Sequence, residues 1–160
     1  MTRSEETNDM DERPTIYEFA GGHEAFVALA AALHERCVDD PVLSHPFSHA
    51  QDPNHLDHLA CYLAEVFGGP ASYTDTVGGH SSMLAIHAGT GADEEYASRF
   101  LACFDLAVGD AALPDDEEFR RVLHDYMMWA TSDVRSISPL GSTVADSLAF
   151  PQWSWDGARS

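Results

Sequence analysis

Gly79-His80-Ser81-Ser82-Met83-Leu84-Ala85-Ile86-His87-Ala88-Gly89 is a short apolar stretch between glycines, with a histidine close to its end. If the stretch is helical, Met83 and His87 are four residues apart on one face, with Leu84 and Ile86 beside them. His87 then points inward. A buried neutral imidazole needs a hydrogen-bond partner or a metal. The stretch therefore predicts either a satisfied core or surface histidine or a metal ligand.

The composition indicates one acidic globular domain. The chain of 160 residues is long enough for one domain with its own core and too short for two, and its 44% hydrophobic content supports a globular body. Against 27 acidic residues stand 8 basic ones, all of them arginine, so the formal charge is −19. Nucleic acids and anionic membranes attract basic surfaces, and we expect neither as a partner. A lysine-free acidic surface suits a high-salt cytoplasm, the alternative being that it only maintains solubility.

The cysteines and the N-terminus indicate a cytoplasmic protein. Cys37, Cys61 and Cys103 are odd in number, widely spaced and set in apolar helical patterns, as expected for reduced core thiols. Residues 1–13 are polar and acidic without an apolar run, so we expect a disordered segment and not a signal peptide. No apolar run is long enough to cross a membrane.

Apolar residues at helical spacing predict an all-α fold of about five helices. We expect a short helix at 15–20, then longer helices at 23–38 and 53–67, from Tyr96 to Ala107, and from Pro114 to Ala130. Residues 70–79 are predicted to be a loop. His34 and His55 lie on the inward faces of two of these helices, and His87 lies on the inward face of the 79–87 segment. Because burying three imidazoles without partners costs free energy, this pattern indicates a site.

With these features the chain resembles the truncated haemoglobins, specifically group II. The resemblance runs from Thr15 to Val134 and rests on Gly21-Gly22, Gly68-Gly69-Pro70, the 79–87 segment and Phe100-Leu101-Ala102-Cys103. It implies a two-over-two helical sandwich around haem b. The implied division is an acidic tail at 1–13, a globin domain at 14–134, and a C-terminal extension at 135–160 whose aromatic residues pack on the body.

The resemblance implies the residues that contact haem. His87 is the expected proximal ligand, with its ε nitrogen on iron and its δ N–H on a carbonyl. Phe47 is expected at the haem edge and Leu59 over the iron, while Tyr62 and Met83 also line the cofactor site.

On the distal side the chain departs from the family pattern. His34 replaces the usual tyrosine, His55 occupies the gate position, and Phe100 replaces a tryptophan that hydrogen-bonds the ligand. A divergent subset with histidine at the tyrosine position has a similar Trp153-Ser154-Trp155-Asp156-Gly157 ending. The distal donors are therefore expected to be His34 and His55. Basic residues before the proximal histidine are absent, and the implied candidates for the propionates are Arg99, His80 and Tyr73.

The implied function is binding of dioxygen or related diatomic ligands, as a carrier or sensor, or with nitric oxide dioxygenase or peroxidase-like activity. A redox enzyme would need an external reductase, because the chain has no dinucleotide-binding fingerprint. The oligomeric state stays open, with a homodimer as one option. Two alternatives remain: a non-haem metal site built from His45, His49, His55 and His58, and a haem-free helical interaction module.

Overall fold

The computed structural model describes residues 13–44 and 54–159, and this part of the chain is mainly helical. Its helices are α1 (Ile16–Ala20), α2 (His23–Asp39), α3 (His55–Val66), α4 (Ser72–Thr76), α5 (His80–His87), α6 (Glu94–Asp110) and α7 (Glu117–Ser136). Two-residue strands, β1 (Trp153–Ser154) and β2 (Gly157–Ala158), pair antiparallel near the C-terminus. The all-α prediction is confirmed. The prediction of a loop at 70–79 was wrong at α4, and the β pair was not predicted.

Polar residues at the helix N-termini explain where several helices begin. Thr15 and Glu18 form a capping box, in which the Thr15 hydroxyl accepts from the Glu18 N–H at 3.1 Å and the Glu18 carboxylate accepts from the Thr15 N–H at 3.3 Å. Asp93 caps α6 and Asp116 caps α7 in the same way, by accepting from backbone N–H groups of the first turn. These bonds satisfy donors that the helices themselves cannot.

The long helices form two packed pairs. Helix α2 packs against α3 and against α6, and α6 packs against α7. The apolar faces meet in one core, whose largest fully buried side chains are Tyr126, Phe26, Phe67, Phe104, Phe119, Ile16, Leu29, Leu33, Leu43, Leu63, Leu123 and Val66. The predicted inward stripes of α2, α3, α6 and α7 therefore lie where their periodicity indicated.

The glycine pair after α3 allows the chain to turn tightly beneath α1. Gly68 has a φ of 99°, which favours glycine. A Cβ on Gly69 would lie 2.7 Å from the Tyr17 ring and 2.8 Å from the carbonyl oxygen of Ala64. Since the Ala64 oxygen is a backbone atom that cannot rotate aside as a side chain can, this close approach requires glycine where the chain leaves α3.

A buried carboxylate holds the short helix α4 in place. Glu65, only 4% exposed, accepts hydrogen bonds from the backbone N–H of Thr74, at 2.9 Å, and from its hydroxyl. The bond crosses from α3 to α4 and so positions the connection that leads into α5.

The described residues that follow α7, 137–159, form a C-terminal extension that lies across the helices. Its aromatic side chains contact them as follows: Phe150 on Tyr62 at 4.9 Å, Trp153 on Tyr126 at 5.6 Å, and Trp155 on Phe19 at 5.0 Å between ring centroids. The Ser81 hydroxyl donates to the Ala145 carbonyl and accepts from the Leu148 N–H, which ties the extension to α5. None of the helices in the described residues combines the length and apolarity needed to cross a membrane.

Candidate functional site

The candidate site is a cavity of about 210 Å³ between α3, α5, α6 and α7. Most of its wall is apolar or aromatic, which suits a cofactor or a small ligand. Ile86, which is 69% exposed, and the exposed Arg135 both lie at this wall, so the cavity opens to solvent beside them. The lining side chains are His55, His58, Leu59, Tyr62, Leu63, Tyr73, Met83, Ile86, His87, Ala92, Tyr96, Ala97, Phe100, Tyr126, Met127, Ala130, Thr131, Val134 and Arg135.

His87 is the last residue of α5 and lines this cavity. Its Nδ1 lies 2.9 Å from the carbonyl oxygen of Met83. A carbonyl only accepts, so Nδ1 carries the proton and donates, and the lone pair of the neutral ring is on Nε2. This tautomer is the one in which a histidine binds a metal through Nε2.

The predicted distal residues are only partly brought together at the cavity. His55, Leu59 and Phe100 line it, but His34 does not. The His34 ring contacts the ring of His55, with 5.9 Å between centroids and 60° between planes, and only the His55 side chain lines the cavity. His34 Nδ1 and His55 Nε2 are both shielded from solvent. Phe47 lies outside the described residues.

Tyr96 is a pocket hydroxyl that the sequence interpretation treated only as a core residue. It precedes Phe100 by one helical turn on α6, and both side chains line the cavity. Burial, with a smaller contribution from Cys37, raises the pKa of Tyr96 to about 12. The hydroxyl therefore remains protonated and can donate a hydrogen bond.

A buried hydrogen-bond chain begins at the cavity wall and was also missed. The Tyr62 hydroxyl is 2.8 Å from His80 Nδ1, and His80 Nε2 is 2.9 Å from a carboxylate oxygen of Asp133. These residues come from α3, α5 and α7, so no local spacing in the sequence could indicate their contact.

The structure also places the residues considered as propionate partners. Arg99 points away from the cavity and pairs with Asp40 at 3.3 Å, while His80 is engaged in the hydrogen-bond chain. Tyr73 lines the cavity. Arg135, which the sequence did not single out, is exposed and lines the cavity, and its positive charge suits an anionic ligand edge close to solvent.

The donor set fits a metalloporphyrin. His87 lines a mostly apolar cavity and has its Nε2 lone pair to offer a metal, and a porphyrin brings four nitrogen ligands of its own. For a metal held by protein alone, residues 13–44 and 54–159 contain no group of three or more His, Cys, Asp or Glu side chains that could hold it. His45 and His49, from the non-haem alternative, lie outside these ranges.

Sequence comparison finds relatives among the globins. The model of the bacterial-like globin family matches residues 15–132. Group 1 truncated hemoglobins from Nostoc commune and from Nostoc sp. (strain MUN 8820) are 32% and 31% identical to the chain over 75 residues. The match covers 47% of this chain and 59% of the length of each of those proteins.

Solved structures agree with this match. The hemoglobin of Thermobifida fusca is 30% identical, with a TM-score of 0.65, over 76% of this chain and 96% of that one. The hemoglobin of Chloroflexus aurantiacus is 28% identical, with a TM-score of 0.66, over 76% of this chain and 98% of that one. The group II truncated hemoglobin of Bacillus anthracis, 19% identical, shares the fold with a TM-score of 0.67 over 85% of this chain and 98% of that one. Haem is the cofactor that a globin implies. With its family model matched over 15–132 and a helical fold shared with solved hemoglobins, the chain belongs to the bacterial-like globin family.

Proposed function

We propose that this globin binds haem b in the cavity, with His87 as the proximal iron ligand, and binds dioxygen or a related diatomic ligand on the opposite side. The observation that carries the proposal is the 2.9 Å bond from His87 Nδ1 to the Met83 carbonyl. That bond fixes the ring orientation and leaves the Nε2 lone pair for the metal. Haem, when bound, supplies the iron at which the diatomic ligand is held.

The cavity wall keeps water from the bound ligand. Leu59 and Phe100 contribute apolar surface on the side of α3 and α6, and Met83 does so on the side of α5. Water competes poorly for such a surface, so a hydrogen bond donated to the ligand there is stronger than in solvent.

Two groups at the wall are proposed as donors to the bound ligand. A ring N–H of His55 and the hydroxyl of Tyr96 both belong to side chains that line the cavity. Either can stabilise the partial negative charge of bound dioxygen. His34 acts on His55 by packing, since the ring centroids are 5.9 Å apart. This arrangement supports our proposal that the chain belongs to the group II subset with histidine at the distal tyrosine position.

We further propose that the ligand reacts, either by dioxygenation of nitric oxide or by reduction of peroxide, with an external reductase restoring the protein. Phenolic and imidazole groups at the wall can hold or move a proton during such a reaction. The three free cysteines favour a reducing compartment, and we place the protein in the cytoplasm.

The test of haem binding compares variants made in haem-replete cells. We expect a strong Soret band in the unaltered protein and its loss in His87→Ala. The matched control is His124→Ala, which removes a histidine that is bonded to Asp105 on the surface, at 2.8 Å, and is not part of the cavity wall. A colourless unaltered protein, or full haem content in His87→Ala, would contradict the proposal.

The distal donors are tested by the rate at which dioxygen leaves the ferrous protein. A hydrogen bond to a charged group contributes about 1.5–3 kcal/mol, so losing one should accelerate release by about 10- to 100-fold. We expect this acceleration in His55→Leu or in Tyr96→Phe, whichever supplies the bond. Unchanged release in both variants would exclude them as donors. Mixing the ferrous dioxygen form with nitric oxide, and the ferric form with peroxide, then tests the two reactions.

A further inference from the structure

The hydrogen-bond chain of Tyr62, His80 and Asp133 runs in one direction. The Asp133 carboxylate only accepts, so His80 Nε2 carries a proton and donates to it across 2.9 Å. In the neutral ring Nδ1 is then an acceptor, and the Tyr62 hydroxyl donates to it across 2.8 Å. The phenol of Tyr62 therefore has an acceptor already in place for its proton.

Burial prevents Tyr62 from losing that proton by simple ionisation. The side chain is 4% exposed, and burial raises its pKa far above the ordinary value for tyrosine. The phenolate is thus inaccessible at any ordinary pH. Removing an electron from the phenol makes loss of its proton favourable, because an oxidised phenol is a strong acid. The base that accepts the proton, His80, is already hydrogen-bonded to the Tyr62 hydroxyl.

An aromatic path joins this tyrosine to the surface. Tyr62 lines the cavity, while the His80 ring stacks on Trp129 with 6.0 Å between centroids and 24° between planes. Trp129 also lies 6.1 Å from Tyr126 and is 38% exposed. An electron can therefore pass from the surface to the cavity in short steps between neighbouring rings.

We propose that Tyr62 is a redox-active tyrosine whose one-electron oxidation is coupled to transfer of its phenolic proton to His80. The electron leaves to a one-electron oxidant, the O–H bond breaks, and an N–H bond forms at His80 Nδ1. The products are a neutral tyrosyl radical and an imidazolium paired with Asp133. When an electron returns through Trp129, the proton returns from His80 to the Tyr62 oxygen.

The function of such a site is the delivery of single electrons from a small phenol at the Trp129 surface to a hydroperoxide in the cavity. Two passages through Tyr62 convert one hydroperoxide and two phenols into an alcohol, water and two phenoxyl radicals, which balances electrons and protons. This use rests on the proposed haem function. The redox chemistry of Tyr62 itself does not.

The experiment oxidises the purified protein, with whatever haem it carries, by a flash-generated ruthenium(III) tris(bipyridine) complex. Radicals are trapped by freezing and identified by electron paramagnetic resonance. We expect a neutral tyrosyl signal that is lost in Tyr62→Phe. It should persist in the matched control Tyr73→Phe, which removes the hydroxyl of a buried tyrosine whose ring lies 5.1 Å from that of Tyr62.

The role of His80 is tested by the rate at which the signal forms. Replacing a positioned base should slow formation about 100-fold in His80→Gln, the lower end of what such a base contributes. Formation in the unaltered protein should also be slower in deuterium oxide. This isotope measurement tests the coupling even if His80→Gln fails to fold.

Two results would overturn the assignment. One is a tyrosyl signal of equal size in Tyr62→Phe, and the other is a rate of signal formation that is unchanged both in His80→Gln and in deuterium oxide. The absorption spectrum of each sample separates this outcome from the haem proposal. A haem-free protein that shows the Tyr62 signal refutes the proposed function only, and a haem protein without the signal refutes the redox assignment only.

Discussion

Replacing Trp155 by alanine should detach the C-terminal extension and destabilise the whole domain. The indole is half-buried, with its ring 5.0 Å from Phe19 and 6.5 Å from Phe119, and its Nε1–H donates to the Pro14 carbonyl at 2.7 Å. The Arg13 guanidinium lies 3.7 Å from the indole centroid on the solvent side. Trp155 thus connects the C-terminal extension to α1, to the residue Pro14 that precedes it, and to α7.

The expected loss follows from these contacts. A fully buried Trp→Ala change costs about 3–5 kcal/mol, and half-burial reduces that to roughly 2 kcal/mol. The hydrogen bond to Pro14 adds about 1 kcal/mol. We therefore expect Trp155→Ala to lower the free energy of unfolding by about 3 kcal/mol and the melting temperature by roughly 6–12 °C for a domain of this size.

Urea unfolding followed by circular dichroism measures the change, with Trp155→Phe as the matched control. Phenylalanine keeps the ring contacts with Phe19 and Phe119 but removes the N–H donor, so its loss should be about 1 kcal/mol. Arg13→Gln should destabilise the unaltered protein more than it destabilises the Trp155→Ala variant, because its contact with the indole is already absent there. A loss below about 0.5 kcal/mol in Trp155→Ala, the range of ordinary surface substitutions, would refute this account of the extension.

Three further predictions concern ionisable groups and the turn after α3. The pKa of Tyr96 is raised to about 12 in the folded protein, against about 10 in the unfolded chain, so the stabilisation from its protonated phenol is complete below pH 10 and is lost between pH 10 and 12. Urea titrations over this range should show that the free energy of unfolding decreases by about 2–3 kcal/mol less in Tyr96→Phe than in the unaltered protein. Burial raises the pKa of Cys37 to about 12, so iodoacetamide at pH 8, followed by mass spectrometry, should label the partly exposed Cys61 first and Cys37 only on unfolding; rapid native labelling of Cys37 contradicts its burial. Gly69→Ala sets a Cβ 2.7 Å from the Tyr17 ring and should cost about 1–3 kcal/mol in thermal unfolding, whereas an unchanged melting temperature would show that the turn relaxes freely.

The helices were predictable because their signals are local. Apolar spacing located α2, α3, α6 and α7, whose ends differ from the predicted ones by a few residues. Helix α4 was not predictable in this way. Its five residues have no apolar stripe, and it is held by the carboxylate of Glu65 bonding to Thr74, which depends on a tertiary contact.

The proximal side of the site depends on a local contact within one helix, whereas the distal side depends on tertiary packing. The orientation of His87 depends on Met83, four residues earlier in the same helix, so the sequence contained the whole geometry of that contact. On the distal side, the presence of His34 and His55 on inward faces was predictable. Which of them lines the cavity was not, because it depends on how α2 and α3 cross.

The hydrogen-bond chain from Tyr62 through His80 to Asp133 shows how the difference between local and tertiary contacts bears on function. Its contacts join residues 18 and 53 positions apart. In the extension, Phe150 packs on Tyr62 and Trp153 packs on Trp129, whose ring stacks on His80. The extension follows residue 132, where the family match ends. The packing of Phe150 keeps water from Tyr62, and the lower local dielectric strengthens the hydrogen bond between Tyr62 and His80. Loosening the extension through Trp155→Ala should therefore impair proton transfer from Tyr62 to His80 while leaving the bond between His87 and Met83 intact. In that variant, tyrosyl radical formation should become slower while the haem content stays unchanged, because radical formation depends on the extension and haem binding depends on a single helix.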